Sequence, residues 1–439
     1  MQVGKQKVVV LGSVGMAILV LVGLSAYFLL GRDISVTCDD RAVGSRFQRG
    51  DLTYLVVDNK SIRASKNLEA QQYHGLRFCT SHVTNIDRLY EDNWYFNQPI
   101  ADWDTKNITS MERTFYRAGH FNQPIGRWNV AKVKSMYAMF AYAKAFNQPL
   151  TYWRTDALEK IQTMFYQASS FNQPVNQFNV SKVTSTFELF AQAKAFNQPL
   201  NDWDMRHVKE AGSMFSYARA FNQPLDNWQT RALENAKGMF YGAVSFNQSL
   251  NNWDISQLTI ASEMFKEAAA FNQPLDRWNT HNIRKIDAMF YGATAFNQPL
   301  ANWDTTNLQW ADRAFEGAVA FNQPIGSWNV SNLRGIGAMF KDAKAFNQPL
   351  NQWNTQSLKY ATSVFDGAEH FNQPLDKWRV SNIVYASNMF RNAKAFNQSL
   401  SSWHLLSLNP RNAKGLFSGA TAFDLSQAPK VPKGVELSL

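Results

Sequence analysis

The chain has 439 residues, 18% of them charged, and a formal net charge of +10 with no long basic run, which argues against a nucleic-acid arm. Charge of this kind supports solubility and loose attraction to anionic surfaces. The 14 Trp, 32 Phe and 15 Tyr belong mostly to one unit copied many times, so length is no guide to domain number.

From Val8 to Leu30 the chain carries no charge, after Lys5 and Lys7 and ahead of Arg32 and Asp33. About 20 apolar residues cross a bilayer. Residues 1–31 therefore read as a cytoplasmic stub and a transmembrane signal anchor that contacts the membrane through residues 8–30. A cleaved signal peptide is the alternative, but its apolar core is shorter and Ser25-Ala26-Tyr27 is a poor cleavage site. The basic residues favour a cytoplasmic amino terminus. The expected location is the cell membrane, single-pass, with the rest of the chain periplasmic or on the cell surface.

Residues 32–82 do not follow the later repeat and read as an N-terminal cap. Leu52 to Val57 is expected as a strand, Asp58-Asn59-Lys60 as a turn, and Ser61 to Ala64 as a short return strand. Outside the cell Cys38 and Cys79 can form a disulfide; two unrelated thiols are the alternative. Phe78, Val83, Ile86, Leu89 and Tyr90 already fall on repeat positions, so residues 71–95 are a worn first coil.

Residues 83–423 are the repeat array. Phe-Asn-Gln begins at Phe96 and returns every 25 residues to Phe396, thirteen copies in phase. A fixed step of this size means stacked units rather than a closed globular domain. With Phe as position 1, position 5 is aliphatic, position 8 is Trp except at Phe178, and position 13 is Ile, Val or Leu. Positions 16, 19, 20 and 23, as in Met136, Met139, Phe140 and Ala143, have the offsets of one helix face. Trp and a β-branched residue at positions 8 and 10 alternate like a strand, and Pro at position 4 sets a turn. Each coil is thus expected to be a turn, a short strand, a loop and a short helix. One such coil cannot offset its own ordering entropy, so neighbours must stack. The fold class is an α/β repeat solenoid, with short parallel strands and short helices behind an N-terminal transmembrane helix.

The FNQPL, WDT or WNV and MFxxAxxF motifs, with Cys79-Thr80-Ser81-His82-Val83-Thr84 as a lead-in, resemble the 25- to 26-residue repeats of mycoplasma and Listeria surface lipoproteins. These are grouped with BspA-like leucine-rich-repeat proteins. The resemblance covers residues 79 to 423 and implies a surface-exposed, leucine-rich-repeat-like solenoid used in interaction or adhesion. It brings no catalytic residues. The chain lacks an acceptor cysteine after its apolar run, which favours the transmembrane anchor over a lipid.

No motif for catalysis, phosphate binding or metal binding is present, so an enzyme and a cofactor are not expected. The Asn-Gln pair at positions 2 and 3 reads as a structural ladder, and the Trp at position 8 as core. Position 9 mixes Asp and Asn with Arg154, Arg379 and His404, which breaks any calcium row. Position 15 is polar in the first half, then becomes Ile260, Lys285, Trp310, Gly335, Tyr360 and Tyr385. Ile260, Trp310, Tyr360 and Tyr385 are the candidate binding patch, because exposed aromatic rows are typical recognition surfaces. A widened core stripe is the bland alternative. Beyond Trp403 the step breaks around Leu408-Asn409-Pro410, and residues 424–439 read as a C-terminal tail. The array is expected to offer its face to a protein or a polysaccharide and not to nucleic acid. A self-associating envelope or filament component is the second reading.

Overall fold

A computed structural model describes residues 35–439. The anchor expected at residues 8–30 lies outside the described residues, among which no helix is long and apolar enough to cross a membrane.

The chain opens on a small sheet in which β1 (Arg46–Arg49) pairs antiparallel with β2 (Leu52–Asp58), and β2 pairs parallel with β3 (Arg77–His82). A parallel pair needs a crossover, and α1 (Ser65–His74) provides it. Ser61–Arg63, expected to begin a return strand, is a single 3-10 turn. Asp58 Oδ1 accepts both the Ser61 N–H (2.7 Å) and the Ser61 hydroxyl (2.6 Å), bending the chain towards α1 instead of back along β2. Sequence reasoning missed α1; its one signal is Gly75, which ends the helix at φ 70°. Cys38 and Cys79 are joined by a disulfide, with Cα atoms 6.3 Å apart, in an apolar cluster with Val36, Tyr54 and Val56.

Beyond the sheet, successive coils lie side by side at the 25-residue step. Position 15 forms a parallel bridge with position 15 of the next coil, from Asn85 through Ser110 and Ser135 to Lys160, and again from Ser185 to Tyr385. The short strand expected at positions 8 to 10 is absent, and the coils pair at position 15 instead.

Positions 16 to 23 are not helical. Their N–H groups alternate between two kinds of partner. Those of Ile86, Arg88, Tyr90 and Asp92 donate to the next coil, at Ser110, Glu112, Thr114 and Tyr116, while those of Leu89, Glu91 and Asn93 close turns onto Ile86, Arg88 and Tyr90. An α-helix would direct every N–H four residues back along its own chain. The alternation requires left-handed backbone at positions 18 and 22, seen at Arg88 (φ 58°) and Asp92 (φ 61°) and repeated to Gly415 and Gly419. Tandem turns of this kind still carry positions 16, 19, 20 and 23 inward, which is why the apolar period looks helical.

The core is one continuous cluster running from Leu55 to Phe423. The position 20 Phe of one coil stacks on the position 1 Phe that opens the next, Phe115 on Phe121 at 3.8 Å between centroids, and successive position 1 rings stack as well, Phe121 on Phe146 at 5.7 Å. At the amino-terminal end Gln71 stands where later coils have Phe, and its Oε1 accepts the Tyr90 hydroxyl at 2.6 Å. Burial pushes the Tyr90 phenol far above its ordinary pKa, so the hydroxyl stays a donor. At the other end, the two residues inserted near Pro410 lengthen the cross-coil step: Ala386 N–H reaches Asn412 O and Asn388 N–H reaches Lys414 O. The final segment lies against the last coil. Leu400 N–H donates to Gln427 O, Leu405 N–H to Lys430 O, and Val431, Val435 and Leu437 pack on the core.

Candidate recognition face

Two of the recurring rows are occupied by the stack itself. Asn97 Oδ1 accepts the N–H of Asn122 and the Nε2 of Gln123, each at 2.9 Å, and the same pair of bonds recurs up the array to Asn372, which serves Asn397 and Gln398. Each Trp after the first donates its indole N–H to the position 5 carbonyl of the preceding coil, as Trp128 does to Ile100 O (3.0 Å) and Trp278 to Leu250 O (2.9 Å). In the coil that carries Phe178, Gln177 Nε2 reaches Leu150 O at 2.8 Å and replaces the missing donor. Asp304 at position 9 bonds His281 Nδ1 at 2.8 Å, and among the described residues no group of three or more His, Cys, Asp or Glu could hold a metal ion.

Position 15 differs between the two halves. In the first, cross-coil hydrogen bonds occupy it: Ser110 Oγ donates to Asp87 Oδ1 and Ser135 Oγ to Glu112 Oε1, both at 2.6 Å, and Asn235 Nδ2 to Glu210 Oε2 at 2.9 Å. In the second half, rings replace polar pairs. Trp310 meets Tyr360 at 5.8 Å between centroids, and Tyr360 stacks on Tyr385 at 5.3 Å. Trp310 reaches across the intervening coil because that coil has Gly335, where a Cβ would lie 2.8 Å from Trp310 Cε3. Tyr360 and Tyr385 are 41% and 42% exposed, and none of the four candidate residues belongs to the core cluster. Ile260 is half-buried, separated from the rings by the Lys285 coil. The row as expected from sequence thus divides into an aromatic trio and an outlying Ile260.

Beside the trio runs a groove of about 660 Å3, whose wall carries Gln309, Arg334 and Lys359, each near or next in sequence to a position 15 residue. The side chains of Asn307, Asn332 and Asn382 are tied down through their nitrogens, to His281 O (2.9 Å), Thr306 O (2.7 Å) and Gln356 O (2.8 Å). All three residues line the groove, and no hydrogen bond among the described residues uses their Oδ1 atoms. A second depression, about 540 Å3, shares Gln356 and Asn382 with the first and extends it to Arg379 and His404. Neither lining contains an Asp or Glu. Asp312 lies beside Gly335, and the Asp312 N–H donates to Asp287 Oδ1. Burial raises both, Asp312 to about 6, and Asp312 Oδ1 accepts the Gly337 N–H. The sequence reading passed over this groove, although Arg334 and Lys359 stand without an acidic neighbour in a row where Glu159 follows Lys134 and Glu234 follows Lys209.

A separate aromatic group lies near the amino-terminal end, also unremarked from sequence. Tyr95, 76% exposed, stacks on His120 at 5.2 Å, and Lys144 Nζ lies 5.4 Å from the Trp94 ring. Two adjacent aromatics at positions that are elsewhere small or polar were the available signal.

Coils joined in register by bridges, turns and side-chain ladders define a tandem-repeat protein. The chain belongs to the family described as Mycoplasma protein of unknown function, DUF285, which it matches over residues 61–176, 149–253, 239–348 and 311–428. No curated protein and no solved structure matches it.

Proposed function

We propose that the chain is a membrane-anchored surface solenoid of leucine-rich-repeat-like build, without catalytic activity, that presents one exposed face to a protein or glycan partner in recognition or adhesion. The observation that carries this reading is the Trp310, Tyr360 and Tyr385 trio, in ring-to-ring contact outside the core and left partly open to solvent. Aromatic side chains in such a position contribute large contact area at small entropic cost. The anchor rests on the uncharged stretch from Val8 to Leu30. Both ends of the stack are covered, by the three-stranded sheet and by residues 424–439, which disfavours end-to-end growth into a filament.

The test has two stages: light scattering of the chain in detergent over a wide concentration range, then attachment of chain-coated beads to cells. Recognition predicts a monomer, and beads whose attachment falls about tenfold or more with W310S/Y360S/Y385S, the ordinary loss on truncating an anchor. Oligomers that grow with concentration and dissolve in the triple variant would replace this reading with self-assembly through the same row.

A further inference from the structure

We infer that the groove beside the aromatic trio takes an extended acidic polysaccharide, an inference that rests on the recognition reading and names its ligand class. The first ground is charge. The chain holds 34 Asp and Glu, yet none lines either depression, whereas Arg334, Lys359 and Arg379 do. Earlier coils cancel the same row internally, Lys134 against Glu159 at 3.8 Å and Lys209 against Glu234 at 2.9 Å. Among the described residues the side chains of Arg334 and Lys359 make no ion pair or hydrogen bond, so neither cation is already engaged by a carboxylate.

The second ground is the lining chemistry. Asn307, Asn332 and Asn382 are held by their nitrogens and offer carbonyl oxygens, which suit sugar hydroxyl donors. A protein partner would instead require an apolar centre to the interface, and this lining is amide, hydroxyl and cation almost throughout. A single-stranded nucleic acid would require open ring faces for its bases, but Tyr360 and Tyr385 stack on one another.

The third ground is shape and spacing. The two depressions abut at Gln356 and Asn382 and run along the stack, crossing coils about 4.8 Å apart. That spacing is close to the advance of one pyranose in an extended chain, so successive sugars meet equivalent positions of successive coils. Arg334 and Lys359 on neighbouring coils receive carboxylate or sulfate groups.

The test is titration calorimetry on the full chain in detergent with hyaluronan and heparin oligosaccharides, using uncharged chito-oligosaccharides, polyglutamate and polyuridine as controls. One or both acidic saccharides should bind, more weakly at high salt, and R334Q/K359Q should weaken binding about tenfold or more. Both residues are exposed, so this variant should melt with the parent. Equal binding of the uncharged saccharide, tighter binding of polyglutamate or polyuridine, no binding of either acidic saccharide, or an unchanged affinity in R334Q/K359Q would each overturn the inference. Bead attachment separates the two levels. Attachment lost in W310S/Y360S/Y385S but kept in R334Q/K359Q would leave recognition standing and remove the acidic polysaccharide.

Discussion

Phe178 is the one place in the array where position 8 lacks an indole, and the coil answers from the residue before it. Gln177 Nε2 takes the Leu150 carbonyl that a Trp would take. From sequence, the exchange keeps the ring and loses the indole donor, which points to core packing as the demand at this position. The geometry makes packing half of the demand: Trp103 and Trp128 do stack at 5.6 Å, but every later indole also closes a buried bond. Trp278→Phe should therefore lower stability by about 1–3 kcal/mol, chiefly because Leu250 O loses its buried donor. Adding Arg277→Gln to the same chain should recover much of that loss by repeating the Gln177 arrangement. Urea midpoints of the parent, both single variants and the double variant form the cycle that checks it. Additive effects would mean that the glutamine does not substitute for the indole.

At the scale of the element, the apolar period was legible and the backbone was not. Positions 16, 19, 20 and 23 are buried as the pattern requires, for example Ile286, Met289, Phe290 and Ala293. What carries them is a run of turns with left-handed residues at Ala288 (φ 51°) and Ala338 (φ 54°), among others. In a helix, Ala→Gly costs about 1 kcal/mol. In a left-handed turn the same change relieves a strain of about 1–2 kcal/mol and offsets the entropy of glycine. Ala288→Gly and Ala338→Gly should therefore leave the thermal midpoint unchanged or raise it. A drop matching the helical cost in both would contradict the turn architecture.

At the scale of the molecule, stability is a sum over neighbouring coils, so the ends matter most. The disulfide between Cys38 and Cys79 spans 41 residues and ties the segment ahead of β1 to β3, which lies in the worn coil of residues 71–95. The Tyr54 hydroxyl adds a 2.6 Å bond to Asp102 of the next coil, and burial holds this phenol up at about 12. Reduction should weaken the cap by up to about 4 kcal/mol. Hydrogen exchange should then quicken in β2, β3 and the first coils, while the coils around Phe246 keep their protection. Uniform loss of protection along the array would show that the coils unfold as one unit instead.

The sequence by itself determined the step, the inward-facing positions, the worn coil at residues 71–95, the broken step near Pro410 and the polar-to-aromatic change at position 15. All of these depend on side chains, whose apolar or polar character is written residue by residue and sorts them to the inside or the outside. Only the tertiary structure decided that coils pair at position 15, that positions 16 to 23 turn instead of coiling, that Gln177 stands in for an indole, and that an acid-free groove runs beside Trp310. Backbone N–H and C=O groups are nearly alike in every residue, so nothing local distinguishes a partner four residues back from one in the next coil. That choice is made when 25 residues of neighbouring chain arrive alongside.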